Sequence, residues 1–402
     1  MTTETLDDAP FLDIKDPAFS MRSPEVADAR ERSWYARTPY GIAVLRYEEV
    51  ARLIRDPRLR QGSYAWPAHN GASGSWADWW LRIMLNREGA DHQRLRKLAN
   101  PAFSPKLVKV LRPEFRKLAN ELIDGFAAEG ECEFVRAFAE PYATRVICLL
   151  LGTDQGDWEH LVDLAVQMGM ALGTTYREDQ DQINAATDEM FAYAQRIVDD
   201  LRARGLDDGF VSSLIRANQD NPDLLSEQEM VDTIVLSVFG GIDTTRNQIG
   251  LAMDTFIRHP DQWALLGDTP DLARLAVEEV MRVRPTVTWV TREALEDMEY
   301  QGLTIAKGTT VHMFSQSACS DPRAFDNPAF DITVADRKNH FGFGLGAHHC
   351  IGHFIARGDM TEALALLAQR VRNPRYAGEP TFLRDSGNTG PLTMPVAFDP
   401  ET

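Results

Sequence analysis

Apolar residues recur every three to four positions through most of this chain and alternate every second position only in short runs, the signature of a mainly helical protein with a smaller β part. The segments LVKVLRPEFRKLANELIDGFA, YATRVICLLLG, WEHLVDLAVQMGMALG and INAATDEMFAYAQRIVDDLRARG predict successive helices across 106–204, with polar TTYREDQDQ (174–182) joining the last two. MVDTIVLSVFGGIDTTRNQIGLAMDTFIRHP (230–260) predicts the longest apolar helix, and Gly240, Gly241, Asp243, Thr244 and Thr245 break its middle. Glycine and threonine in a helix interior cost stability, so a purely structural helix would not favour them there. Around these lie a helix at 23–36 opened by Ser23 and Pro24, a strand at 41–47, a helix at 48–56 and a helix at 272–282. Strands and turns follow at 283–313, and residues 1–20 read as an extended arm with little intrinsic order. Tyr64, Trp66, Trp76, Trp79 and Trp80 crowd the glycine-containing stretch 62–86, which reads equally as a loop roofing a pocket or as a satellite core.

Composition narrows the class. No linker and no internal repeat divides the 402 residues, so a single domain over 21–402 is expected after the arm. The net charge of −18 offers no broad basic patch for nucleic acid, although Arg94–Lys97 and Arg337–Lys338 are local basic spots for an acidic protein partner. Cys132, Cys148, Cys319 and Cys350 show neither disulfide nor zinc spacing, which suits a reducing cytoplasm. The acidic, polar first twenty residues hold neither a signal peptide nor a spanning helix, so membrane insertion is not expected.

The most informative stretch is His340–Arg357, HFGFGLGAHHCIGHFIAR. Ile351, Phe354, Ile355, Leu364 and Leu367 fall on one helical face, so Cys350 stands at a helix N-terminus, where free N–H groups and the dipole favour an anion. Gly344 and Gly346 allow positive φ and close backbone approach. Phe343, Gly344, Gly346, His348, Cys350 and Gly352 follow the order F-G-x-G-x-H-x-C-x-G, which resembles the haem-binding loop of the cytochrome P-450 family. The resemblance implies a mainly α fold with a smaller β region, with haem b buried between the long central helix and the helix after the cysteine loop. It makes the Cys350 sulfur the proximal iron ligand, and a thiolate there pushes electron density toward iron and favours O–O cleavage.

Further motifs extend the resemblance over about residues 25–400. His92 and Arg96 form an H-x-x-x-R pair that in the family binds haem propionates, as His348 and Arg292 would also do. Gly241, Asp243 and Thr244 match A/G-G-x-D/E-T with Gly240 at the small position. There the family's helix bulges to admit dioxygen, and the carboxylate and alcohol manage protons. Glu279 and Arg282 give the structural E-x-x-R pair, and SDPRAFDNPAFD (320–331) resembles the family's D-P-x-x-F-x-x-P-x-x-F-D, one residue shorter between Pro328 and Phe330. Arg337 lies later than the arginine that commonly completes that network. Leu236, Phe239, Gly240, Val287 and Thr288 would touch substrate, the helices flanking 174–182 would with that loop form a lid, and Met168, Met170 and Leu172 would face either the pocket or the core.

The activity implied is monooxygenation of a lipophilic small molecule of secondary metabolism, hydroxylation first, with O2 as co-substrate. No redox module is fused, so electrons from NAD(P)H would arrive through a ferredoxin and its reductase. Epoxidation, desaturation or oxidative C–C coupling are alternative outcomes of the same machinery. A non-enzymatic haem ligand-binding protein is a further alternative, against which the Asp243–Thr244 pair argues.

Overall fold

The structure, a computed structural model, describes residues 9–172 and 176–401, so Thr174 and Thr175, expected to begin the lid connection, lie outside the described residues. The chain divides into two compact units, the first built from residues 1–63, 275–350 and 382–390, the second from residues 64–274, 351–381 and 391–402.

The first unit holds the smaller β region. Its five-stranded sheet runs in the order Tyr35–Thr38, Gly41–Val44, Thr310–Phe314, Trp289–Ala294, Leu59–Gln61. Gly41–Val44 and Thr310–Phe314 pair in parallel and the other neighbours antiparallel. Gly41 is required at that crossing, because a Cβ there would stand 2.1 Å from the Thr310 carbonyl oxygen. The helix expected at 23–36 ends at Arg32, since Ser33 turns to extended backbone and Trp34 and Tyr35 bury their rings against each other at 4.7 Å. The arm is more ordered than expected among its described residues: Leu12 is buried and donates its N–H to the Arg37 carbonyl.

The second unit is helical. The central helix spans Glu227–Ile257, starting before the apolar run because Ser226 and Glu229 form a capping box. It continues without a break through Gly240–Thr245. The helix after the cysteine loop, His353–Arg370, packs on Pro105–Asp124 so closely that a Cβ on Gly358 would meet Val108 Cγ1 at 2.5 Å. On this helix Phe354 is 40% exposed, against the apolar face expected for it, while Ile355, Leu364 and Leu367 are buried. The stretch 62–86 is mostly short helices, and Ser75–Arg82 supports the satellite-core reading. Trp76 stacks on Trp80 at 4.9 Å, and Trp79 and Trp80 meet Phe239 edge-on. The expected lid loop is largely helix too, being the start of Tyr176–Arg204, and its Asn184 donates to the Ser73 carbonyl. Near the end of the chain Thr381–Phe382 pairs with Pro391–Thr393, and Pro395–Asp399 pairs with Glu131–Glu133 and Arg372–Tyr376.

One buried ion cluster fixes the first unit below the cysteine loop. Glu279 and Arg282 lie one turn apart on the helix Ala273–Val283 and are 3% and 1% exposed. Their bidentate contact measures 2.7 Å at both oxygens. Glu279 also accepts from the Asp331 N–H at 3.0 Å and pairs with Arg337 Nε at 3.0 Å. Arg337 thus completes the cluster despite its late position. Arg282 spends its remaining donors on the carbonyls of Cys319, Pro328 and Ala329. The irregular segment has few backbone bonds of its own and takes its shape from these charges. Glu279→Ala leaves the buried Arg282 guanidinium and the half-buried one of Arg337 without their carboxylate and should cost roughly 3–5 kcal/mol. Arg337→Ala should cost less, since the Arg282 contact survives. Equilibrium denaturation ranks them, and a Glu279→Ala loss below about 1 kcal/mol would match a surface pair instead.

Candidate active site

The cysteine loop is closed by its own backbone. The Cys350 N–H donates to the Phe343 carbonyl at 2.9 Å and the Gly344 N–H to the Phe341 carbonyl at 2.8 Å. Gly344 and Gly346 take φ of 66° and 78°, the left-handed region foreseen for them. Gly342 is close-packed, since a Cβ there would meet the Met281 carbonyl oxygen at 3.2 Å and displace the flexible end of its side chain. Phe341 anchors the loop by packing on Tyr47 at 4.8 Å. The chain then passes through Gly352, the N-cap of the helix His353–Arg370, so Cys350 precedes a helix start as the periodicity predicted.

Burial separates the four thiols. Cys350 is exposed, whereas Cys148 and Cys319 are buried and Cys132 is half-buried. Desolvation pushes the Cys132 and Cys319 thiols up to about 12 and the Cys148 thiol to about 11. At neutral pH those three are protonated, and Cys350 is the exposed cysteine. Among the described residues no three His, Cys, Asp or Glu side chains converge as a metal group.

The candidate propionate partners lie on separate elements. In the first unit, Arg292 is 4% exposed on the strand Trp289–Ala294 and donates to the Gln61 side chain across the register, while His348 sits in the single turn Gly346–His348 before Cys350. In the second unit, His92 and Arg96 are one turn apart on the helix Gly89–Ala99, the first buried and the second half-buried.

The central helix is buried on most sides except one stripe. Leu236, Gly240 and Thr244 succeed one another at four-residue steps, and Gly240 is exposed between two half-buried neighbours. A Cβ on Gly240 would meet nothing within 4 Å, whereas one on Gly241 would stand 2.3 Å from Ile147 Cδ1. The two glycines thus do different work, Gly241 admitting the neighbouring helix and Gly240 leaving room beside the stripe. The Thr244 hydroxyl donates to the Gly240 carbonyl at 2.6 Å, so the expected opening is a bare backbone turn and not an interruption of the helix.

Asp243 is buried, and sequence reasoning missed what holds it. Arg246 Nη2 donates to Asp243 Oδ1 at 3.2 Å and Nη1 to Glu140 Oε1 at 3.0 Å. Arg246 stands at i+3 from Asp243, a spacing that could have flagged the first contact. Glu140 is 106 residues away in sequence and carries no comparable signal. Of the expected substrate contacts, Val287 is half-buried and bridged to Asn388. Thr288 is wholly buried with an unpartnered hydroxyl, and Phe239 is 6% exposed within the tryptophan cluster. Gly240 is the exposed position, with Leu236 and Val287 half-buried.

Comparison with known proteins decides the family. The family model described as Cytochrome P-450 matches residues 271–373, and the chain is 38% identical to luteothin monooxygenase of Streptomyces thioluteus over 97% of this chain and 96% of that protein. The chain is a cytochrome P-450. This P-450 is also 32% identical to mycinamicin IV hydroxylase/epoxidase of Micromonospora griseorubida, over 97% of this chain and 98% of that one. Its fold matches the crystal structure of CalO2 with a TM-score of 0.87 at 28% identity, covering 96% of each chain. It is a haem-thiolate monooxygenase, using haem and O2. Among the described residues no helix is long and apolar enough to cross a membrane.

The contrast between the adjacent glycines is testable. Gly240→Ala should raise stability by about 0.5–1 kcal/mol, because alanine favours the helix and its methyl enters open space. Gly241→Ala should lose that gain to the collision with Ile147. Equal denaturation midpoints for the two variants would contradict the assigned packing.

Proposed function

We propose that Cys350 is the thiolate ligand of the haem iron, and that this P-450 oxygenates a lipophilic small molecule of secondary metabolism, with hydroxylation the first outcome. The observation that carries the assignment is the exposure of Cys350 at the end of its glycine loop while burial keeps the other three thiols protonated. Arg96, Arg292, His92 and His348 supply cationic or imidazole donors suited to the propionates. The haem, when bound, supplies the oxygen-activating chemistry. The chain supplies the sulfur, the space beside Gly240, and proton handling at Thr244 Oγ and the Asp243 carboxylate. The apolar Leu236 and the open backbone at Gly240 favour a lipophilic substrate. Epoxidation is the second reading, favoured by the relative named as a hydroxylase/epoxidase.

Cys350→Ala should abolish the strongly red-shifted Soret band of the reduced, CO-bound protein, while alanine at Cys132, Cys148 or Cys319 should leave it in place. A Soret position typical of a histidine ligand in the active wild type would overturn the proposal.

Electrons from NAD(P)H would come through a ferredoxin and its reductase. The basic spots marked in the sequence do not serve an acidic partner well. Arg94 is paired with Glu229 at 2.6 Å, Arg337 belongs to the Glu279 cluster, and Lys338 pairs with Glu48. The helix Pro105–Asp124 is the better candidate, because Lys106, Lys109, Arg112, Arg116 and Lys117 are exposed along one side of it. Arg112 and Arg116 also neutralise buried Glu362, so the clean test uses the lysines. Lys106→Glu with Lys109→Glu should slow reduction by an acidic ferredoxin at low salt, and the difference from wild type should vanish at high salt. Substrate binding, read from the haem spectrum, should not change. A salt-independent defect would place the partner elsewhere.

A further inference from the structure

Two carboxylates share one buried guanidinium beside the open stripe of the central helix. Arg246 is 4% exposed, Glu140 6% and Asp243 8%. Arg246 gives Nη1 to Glu140 at 3.0 Å and Nη2 to Asp243 at 3.2 Å. The same Nη2 reaches Asn247 Oδ1 at 3.1 Å, and Asn247 Nδ2 returns to Asp243 Oδ1 at 3.3 Å. Two atoms of the cluster are buried without a hydrogen-bond partner, Glu140 Oε2 and Arg246 Nε. Glu140 Oε2 has only a longer ionic contact, 3.6 Å to Nε of Arg136, whose side chain is 76% exposed. The cluster thus holds one more buried carboxylate than guanidinium, with exposed Arg136 as the further cation, and it is incompletely bonded, the condition under which a buried network can rearrange.

A carboxylate that passes protons toward Thr244 must let go of Arg246. If Asp243 were the only counter-charge, its departure would strand a buried guanidinium. Glu140 removes that obstacle, since it holds the other edge of the same guanidinium. We propose that Glu140 is a positioning residue for proton delivery: by compensating Arg246 it frees the Asp243 carboxylate to leave the ion pair and return. Monooxygenation consumes two protons and two electrons for each O2 cleaved, one oxygen going to product and one to water, so Asp243 must be recharged in every cycle. The electrons come from the redox partners, and Glu140 exchanges none and forms no bond to substrate.

This inference rests on the reading of Asp243 as a proton carrier, and the experiment separates the two. With one accepted substrate, turnover, its solvent deuterium isotope effect and peroxide released per nicotinamide oxidised are measured for Asp243→Asn, Glu140→Gln, Glu140→Asp and the Asp243→Asn, Glu140→Gln double variant. Glu140→Gln should leave Asp243 as the one carboxylate on Arg246, slow turnover by about 5- to 150-fold and raise the isotope effect. The substrate-induced spectral shift and haem content should stay as in wild type, which excludes a folding defect. Glu140→Asp keeps the charge and should recover most of the rate. The double variant should be no slower than Asp243→Asn alone, because there is no carboxylate left to release. Full activity in Asp243→Asn would remove the proton-carrier reading itself. A slow Asp243→Asn beside a normal Glu140→Gln would overturn only the role of Glu140, as would additive losses in the double variant. Denaturation of the haem-free variants supplies a further control, since a merely structural Glu140 would lower stability and leave the isotope effect unmoved.

Discussion

The bidentate pair between Glu279 and Arg282 is the constraint on which the first unit depends. Burying both charges is costly unless every remaining donor and acceptor is filled. The sequence fills them from the irregular segment 319–337, through three carbonyls, one amide and Arg337. Helix and sheet ladders could not have shaped that segment, because it has neither. The cysteine loop begins four residues after Arg337, and Phe341 at its base donates its N–H to Cys319 Sγ at 3.3 Å. Charge satisfaction at one end of the segment therefore sets where the glycine loop starts.

The second unit uses the opposite device. Its central helix is ordered by packing and interrupted by nothing, yet it exposes bare backbone at Gly240. Gly241 lets Ile147 approach, and the Asp243–Arg246–Glu140 cluster is supported from the same neighbouring helix, Glu140–Leu151. One helix contact thus positions both the open turn and the carboxylate next to it. Stability and chemistry are met on adjacent residues by pointing them in different directions.

Local features were legible in the sequence wherever one residue type has one physical use. The positive φ of Gly344 and Gly346, the helix after Cys350 and the Glu279–Arg282 spacing all follow from short patterns. Periodicity also gave the long helices. It failed at Trp34–Ala36, where aromatic burial outweighs helical spacing, whereas at 62–86 the two readings stand level and the packed tryptophans of Ser75–Arg82 favour the satellite core. Contacts across long sequence distances left no mark. Glu140 looks like any helix-start acid, Arg337 lies later than the usual arginine, and Phe239, expected at the pocket wall, packs in the tryptophan cluster. Basic runs were misleading for a related reason, since Arg94 and Lys338 find acidic neighbours that only the fold brings to them.

The parallel pairing of Gly41–Val44 with Thr310–Phe314 has a consequence during synthesis. A ribosome must add roughly 270 more residues before the partner strand exists, which at about 5–20 residues per second takes on the order of 15–55 s. Throughout that time the edge formed by Gly41–Val44 offers unpaired N–H and C=O groups to any other nascent chain. Buried apolar residues at its centre, Ile42 and Val44 among them, make that edge adhesive. Yield in a heterologous host should therefore be limited by how well the first sixty residues are shielded while the helices of the second unit are being made. Slower growth or added chaperone would act at that stage and leave the stability of the finished enzyme untouched.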